Sequence, residues 1–124
     1  MKKEERIKVL HLPPKGHPKP HELINTLDGL QEAVCGLIEF VPLDGNYSLL
    51  LNEEGKLIGL EPNRRLGSDV LVGDVYVVKE NDDGELISME EWELKMFCSL
   101  FYEWDDDIDE EEIEASCGFS VCFF

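Results

Sequence analysis

Basic residues all but vanish beyond residue 80, where Lys95 stands alone against 15 Asp and Glu. The chain of 124 residues has a formal net charge of -17, so most of its imbalance belongs to the C-terminal third. A field of that sign repels nucleic acid and anionic lipid and attracts basic surfaces. Direct nucleic-acid binding and a membrane partner are therefore not expected. Long apolar runs are also missing. None approaches the roughly 20 residues that span a bilayer, and Pro13-Pro14 interrupt the start before a signal-peptide core can form. The expectation is a cytoplasmic protein.

Paired cysteines are absent as well. Cys35, Cys98, Cys117 and Cys122 are scattered and form no Cys-x-x-Cys pair. In a reducing compartment they read as free thiols packed as small hydrophobes, with Cys117 and Cys122 placed in a tail that oxidation could cross-link. No GxGxxG or GxxxxGK[ST] loop occurs. Ser48, Ser68, Ser99 and Ser120 stand in no nucleophile-elbow pattern. His17 and His21 are separated by prolines that exclude the helix needed to place both on one face, and "DDDIDEEEIE" lacks the glycine-bearing spacing of a calcium loop. The sequence points away from an enzyme, a cofactor or a metal.

What is present is a globular composition, 43% hydrophobic. "IKVLHL" (7–12) reads as a first strand, followed by a Pro-rich loop, "PPKGHPKPHELI". "NTLDGLQEAVCG" (25–36) reads as a short helix capped by Asn25 or Thr26, with Gly36 as the left-handed stop and Leu27, Leu30 and Val34 facing a sheet. Strands follow at 37–43 and 47–52, then a turn at "NEEG", a return strand at "KLIGL" (56–60), and the strongest strand around Val75 to Val78. Ser88 and Glu91 fit a capping box for a last helix. That helix carries two apolar stripes: Met89, Trp92, Met96 and Leu100, and Leu94, Phe97, Phe101 and Trp104. One stripe is expected in the core. The other faces a partner, a second copy as in a homodimer, or the folded-back tail "CGFSVCFF". The fold class is α+β: a curled, mostly antiparallel sheet with two helices packed on it. Residues 1–104 form the domain, and 105–124 form an acidic, then apolar, C-terminal extension whose "GFSVCFF" could add a strand.

"GLEPNRRLG" (59–67) stands out, with two of the few arginines side by side between glycines. It reads as a rigid turn that aims Arg64 and Arg65. They either pair with an internal acid such as Glu39, Glu61 or Asp74, or grip an anionic ligand bidentately.

"IKVLHLPP", "NTLDGLQEAVCGLIEFVPL", "NEEGKLIGLEPNRRL" and "GDVYVV" together resemble a domain-of-unknown-function family, number 3846, found in phages, plasmids and conjugative elements. Its paired motifs correspond to Asn52, Glu53, Glu54, Gly55, Lys56 and Leu57, then Pro62, Asn63 and Arg64. The resemblance implies an accessory protein of a mobile element, acting against host defence, with Asn52, Glu54, Lys56, Pro62, Asn63, Arg64 and Arg65 as candidate ligand-binding residues. Two routes fit. In the first, the PNRR turn sequesters an anionic, nucleotide-like small molecule, Asn52 and Asn63 reading its polar edges and Tyr47 or Tyr76 stacking on a base. In the second, the acidic third mimics DNA, or otherwise blocks a basic, nucleic-acid-binding host protein.

Overall fold

Val9 and Leu10 are neighbours on one strand, and both are completely buried. Successive side chains on a strand point to opposite faces, so this strand must be covered on both. In the computed structural model, which describes residues 5–121 and side chains as far as Ser116, it is β1 (Arg6–Leu12) of a six-stranded sheet. The order is β2 (Lys19–Ile24), β1, β7 (Val75–Glu80), β4 (Tyr47–Asn52) and β3 (Ile38–Pro42), with β8 (Leu86–Ile87) on β7. Every pairing is antiparallel, as tight turns dictate. The α+β class expected from the sequence is the one observed.

The faces divide by parity. Ile7, Val9, Leu50, Tyr76 and Val78 meet Leu30 and Val34 of α1 (Leu27–Val34). Leu10, Leu12, Leu49, Val75 and Val77 meet Leu94, Phe97 and Phe101 of α2 (Glu91–Leu100) and its cap. A small hairpin, β5 (Pro62–Leu66) with β6 (Asp69–Val72), adds Leu71 to this second cluster. A third helix, α3 (Glu110–Val121), lies against β6.

Several expectations are corrected. Residues 19–24 are the edge strand β2, not loop: they register against β1 from Arg6↔Ile24 to His11↔Lys19. Pro20 obscures this in the sequence, but proline is tolerated at a sheet edge, where its missing N–H faces no partner. The opposite outer strand, β3, carries Pro42. "KLIGL" is turn rather than strand. "PNRR" is strand β5 rather than a turn. Thr26 caps α1 by accepting from the Gly29 amide, but the left-handed stop is Cys35 (φ 64), and Leu27 is exposed. Ser88 instead accepts from the Lys8 amide, and the capping box of α2 is Glu90 with Glu93. Residues 118–121, expected to lead a strand, are helical, while Cys122 and the last two residues lie outside the described residues, as does the Cys117 side chain.

Glu93 secures α2 to the sheet from a fully buried position. Its carboxylate accepts from the Glu90 amide (2.7 Å), from Lys79 Nζ (2.8 Å) and from the Tyr47 hydroxyl. Burial pushes this carboxyl up, but the amide, Lys79 and Tyr47 together outweigh burial and hold it below its ordinary value. The bond to Glu93 pushes Tyr47 up to about 12. Removing one member of a buried pair strands the other charge. Glu93→Ala is therefore expected to lower stability by about 3 kcal/mol in urea denaturation. Because the folded-state pKa is depressed, this stabilisation is present above the ordinary value of 4.5 and is lost as pH falls through the folded value. The gap between wild type and Glu93→Ala should therefore narrow in acid.

Candidate functional site

The adjacent arginines end up in opposite situations because strand alternation sends them to opposite faces, while a bulge in β5 puts Asn63 on the same side as Arg64. Pro62 pairs with Val72 and Arg64 with Leu71, which leaves Asn63 as the extra residue. A bulge re-aims side chains that plain alternation would separate, and here Asn63 and Arg64 are both buried, Arg64 at 2% exposure. Asn63 Nδ2 donates to Leu12 O (2.8 Å) and to Gly73 O (2.7 Å), while its Oδ1 accepts from Arg64 Nη1. Gly73 takes φ 73, a left-handed angle that calls for glycine.

Among the described residues, no carboxylate bonds or ion-pairs with Arg64. Its Nε donates to Phe101 O (2.9 Å) and Glu103 O (3.0 Å), Nη1 to Pro13 O (3.1 Å), and Nη2 to Gly16 O (2.7 Å). Phe101 is the C-cap of α2, where carbonyls lack helical partners and the helix dipole favours a cation. Burial lowers the Arg64 pKa and nearby Asp105 opposes that shift. One guanidinium thus joins the β1–β2 loop, β5 and the end of α2.

Arg65 is partly exposed and wholly engaged by acids. Its Nε and Nη2 donate to the two oxygens of Glu112, and Nη1 donates to Asp107 (3.0 Å) and Asp105 (3.2 Å). The Arg65 amide also donates to Asp105 Oδ2 at 2.9 Å. Bonds to Glu112 first, then Asp107, raise its pKa. The acids differ from those the sequence suggested: Glu61 pairs with Lys15, and Asp74 with His11.

The remaining candidates also turn inward or pair locally. Asn52 is buried, donating to Val34 O at the end of α1 and accepting from the Glu54 amide, and Lys56 pairs with Asp69. Glu54 is exposed, and Pro62 is half-buried in the hairpin. Among the described residues, no hydrogen bond or ion pair joins Asn52, Glu54 or Lys56 to the PNRR segment. The outward-facing pair of guanidinium groups is corrected, because carbonyls enclose Arg64 and carboxylates enclose Arg65. The stacking tyrosines are committed too: Tyr47 to Glu93, and Tyr76 to Ala33 O and a stacked His11 ring.

Beside the arginines lies a groove of about 470 Å³ between α2 and the β3–β4 turn. Leu43, Tyr47, Leu66, Met96, Phe97 and Leu100 give it an apolar lining, and Asp44, Glu103, Arg64 and Arg65 are its charged residues. Along the outer side of α2, Trp92, Met96 and Leu100 are 59%, 43% and 68% exposed. These are three of the four residues of one stripe expected from the helix periodicity; the fourth, Met89, is buried in the core. Sequence reasoning missed a different cluster, in which His11 Nε2 lies 2.7 Å from Asp74 and the His21 ring is 5.6 Å from that of His11. Burial, then His11, lowers the His21 pKa. His11 and His21 come from β1 and β2 and Asp74 from the turn before β7, and no spacing in the sequence connects them. Among the described residues, no group of three or more His, Cys, Asp or Glu is placed to hold a metal, and no helix is long and apolar enough to cross a membrane.

The architecture defines an acidic α+β domain whose PNR motif is a structural bolt lying next to an apolar groove. A family model described as Domain of unknown function (DUF3846) matches residues 7–102, and the chain belongs to that family. No curated protein and no solved structure matches it. The matched region ends just ahead of Glu103 and of the acids that hold Arg65.

The two arginines should separate experimentally. Arg64→Ala leaves buried carbonyls unpaired at three elements and is expected to cost about 3 kcal/mol in urea denaturation. Arg65→Ala should leave the urea midpoint nearly unchanged while speeding hydrogen exchange of amides in residues 105–112, because surface pairs contribute little to global stability.

Proposed function

We propose that the chain is a non-catalytic binding protein that occupies a basic surface of a host nucleic-acid-binding protein. The observation that carries this reading is the apolar groove alongside α2, flanked by a carboxylate segment that Arg65 fastens to the body. Apolar contact supplies affinity at the centre of a protein interface, while opposite charge at the rim speeds and orients the encounter. Asp106, Asp107, Asp109, Glu110 and Glu111 are exposed in this segment, and Trp104 Nε1 holds Asp106 at 2.8 Å. A resemblance to proteins of mobile elements fits a role against host defence in the host cytosol.

Sequestration of an anionic small molecule at PNRR has less support. It requires guanidinium donors to leave partners they already hold, and the carbonyl cage of Arg64 would then lose its cation.

The test passes basic, heparin-retained host proteins over the immobilised full-length chain and over a variant with Asp106, Asp107 and Asp109 changed to Asn. The wild type should retain a defined protein, release it as salt rises, and displace duplex DNA from it. Equal retention on the neutralised variant would sink the proposal. So would native mass spectrometry in which the purified chain carries a stoichiometric small anion that Arg65→Ala abolishes.

A further inference from the structure

We infer that the groove and the outer stripe of α2 seat one amphipathic helix of the partner, with basic residues along its flanks. The inference rests on the proposed basic partner and names the element by which that partner is held. Trp92, Met96 and Leu100 stand four residues apart, so at 1.5 Å per residue they form a ridge rising about 12 Å along the helix and inclined about 26° to its axis. That ridge matches a helix of about three turns, which presents its own apolar side chains at the same spacing. Phe97 and Tyr47 line the groove beside the ridge, where an anchor side chain can leave water.

Charge selects among the occupants. Asp44 and Glu103 line the groove together with Arg64 and Arg65. Arg64 is spent on carbonyls and Arg65 on Asp105, Asp107 and Glu112, so the unpaired charge there is acidic. Glu91 opens α2, and Lys95 is the one base on that helix. A second copy would bring another net charge of -17 to the same surface, and an anionic lipid face would meet the same repulsion. A small apolar ligand would fill the groove without covering Trp92. A helix with apolar anchors and Lys or Arg flanks satisfies the ridge, the groove and the rim together.

The probe is a labelled synthetic helix of about 18 residues, with Leu at helical spacing and Arg on the flanks. Its control has the same composition with a central proline, which breaks the helix. Binding to the full-length chain is followed by fluorescence anisotropy, and self-association by sedimentation equilibrium. The helical probe should bind, and the proline probe at least about tenfold more weakly. Leu100→Asp and Met96→Asp, at exposed positions, should each weaken the helical probe about tenfold or more. Phe40→Asp, exposed on β3 opposite Leu50 and so on the α1 face of the sheet, should not.

Equal binding of both probes overturns the helix. Undiminished binding by Leu100→Asp overturns the groove as its seat. A wild-type dimer that Leu100→Asp converts to monomer shows that a second copy covers the ridge and likewise overturns the inference. If the Asp106, Asp107 and Asp109 substitutions abolish retention of a host protein while Leu100→Asp does not, the basic-partner reading survives and the helix does not. If neither set affects retention, both fail.

Discussion

A single buried cation determines how the elements of this domain are joined. Arg64 holds main-chain carbonyls from the β1–β2 loop and from the end of α2, with Asn63 beside it fixing the ends of β1 and β6. These carbonyls would otherwise be buried acceptors without donors, a costly condition. The planar fork of arginine reaches several at once, which the single ammonium of lysine cannot do. The PNR motif is thus a fastening between segments distant in sequence. The groove exists because this fastening sets where α2 ends relative to β5.

The second arginine extends the same logic to the surface. Arg65 gathers Asp105, Asp107 and Glu112, so a run of carboxylates that would repel itself is drawn onto the hairpin. Mutual repulsion then directs the remaining acids outward. A buried neutral-carbonyl site and an exposed acidic site, one residue apart, turn one short strand into the junction between the core and the charged segment.

Much of the fold was legible where the hydrophobic pattern was unambiguous. β1, β4 and β7 carry dense aliphatic runs, and α2 has a clear helical period with one face for the core and one left over. β2 was hidden by Pro20, whose meaning depends on whether the strand is an edge, and that is a tertiary fact. β5 was hidden because its two buried positions are polar and consecutive, against any alternating pattern, and only the bulge reconciles them. The inward roles of Arg64 and Asn63 could not be inferred because their partners are backbone atoms, which carry no residue identity. The capping of α2 was misplaced by two residues because Ser88 offers the stronger local signal, although Glu90 and Glu93 satisfy the box. The His11–Asp74 contact joins positions 63 apart and left no trace in the spacing.

The two outer strands have a consequence for how the molecule meets others. Leu43 N bonds Tyr47 O and Asn25 N bonds Glu5 O. By antiparallel alternation, Pro42 and Pro20 therefore sit where the backbone nitrogen faces away from the sheet. Each open flank thus lacks an amide hydrogen at the place where an incoming ribbon would dock. Growth by strand addition, the usual route from a lone sheet to fibrils, is blunted on both sides. The main sheet therefore offers an extending strand no unbroken ladder on either flank.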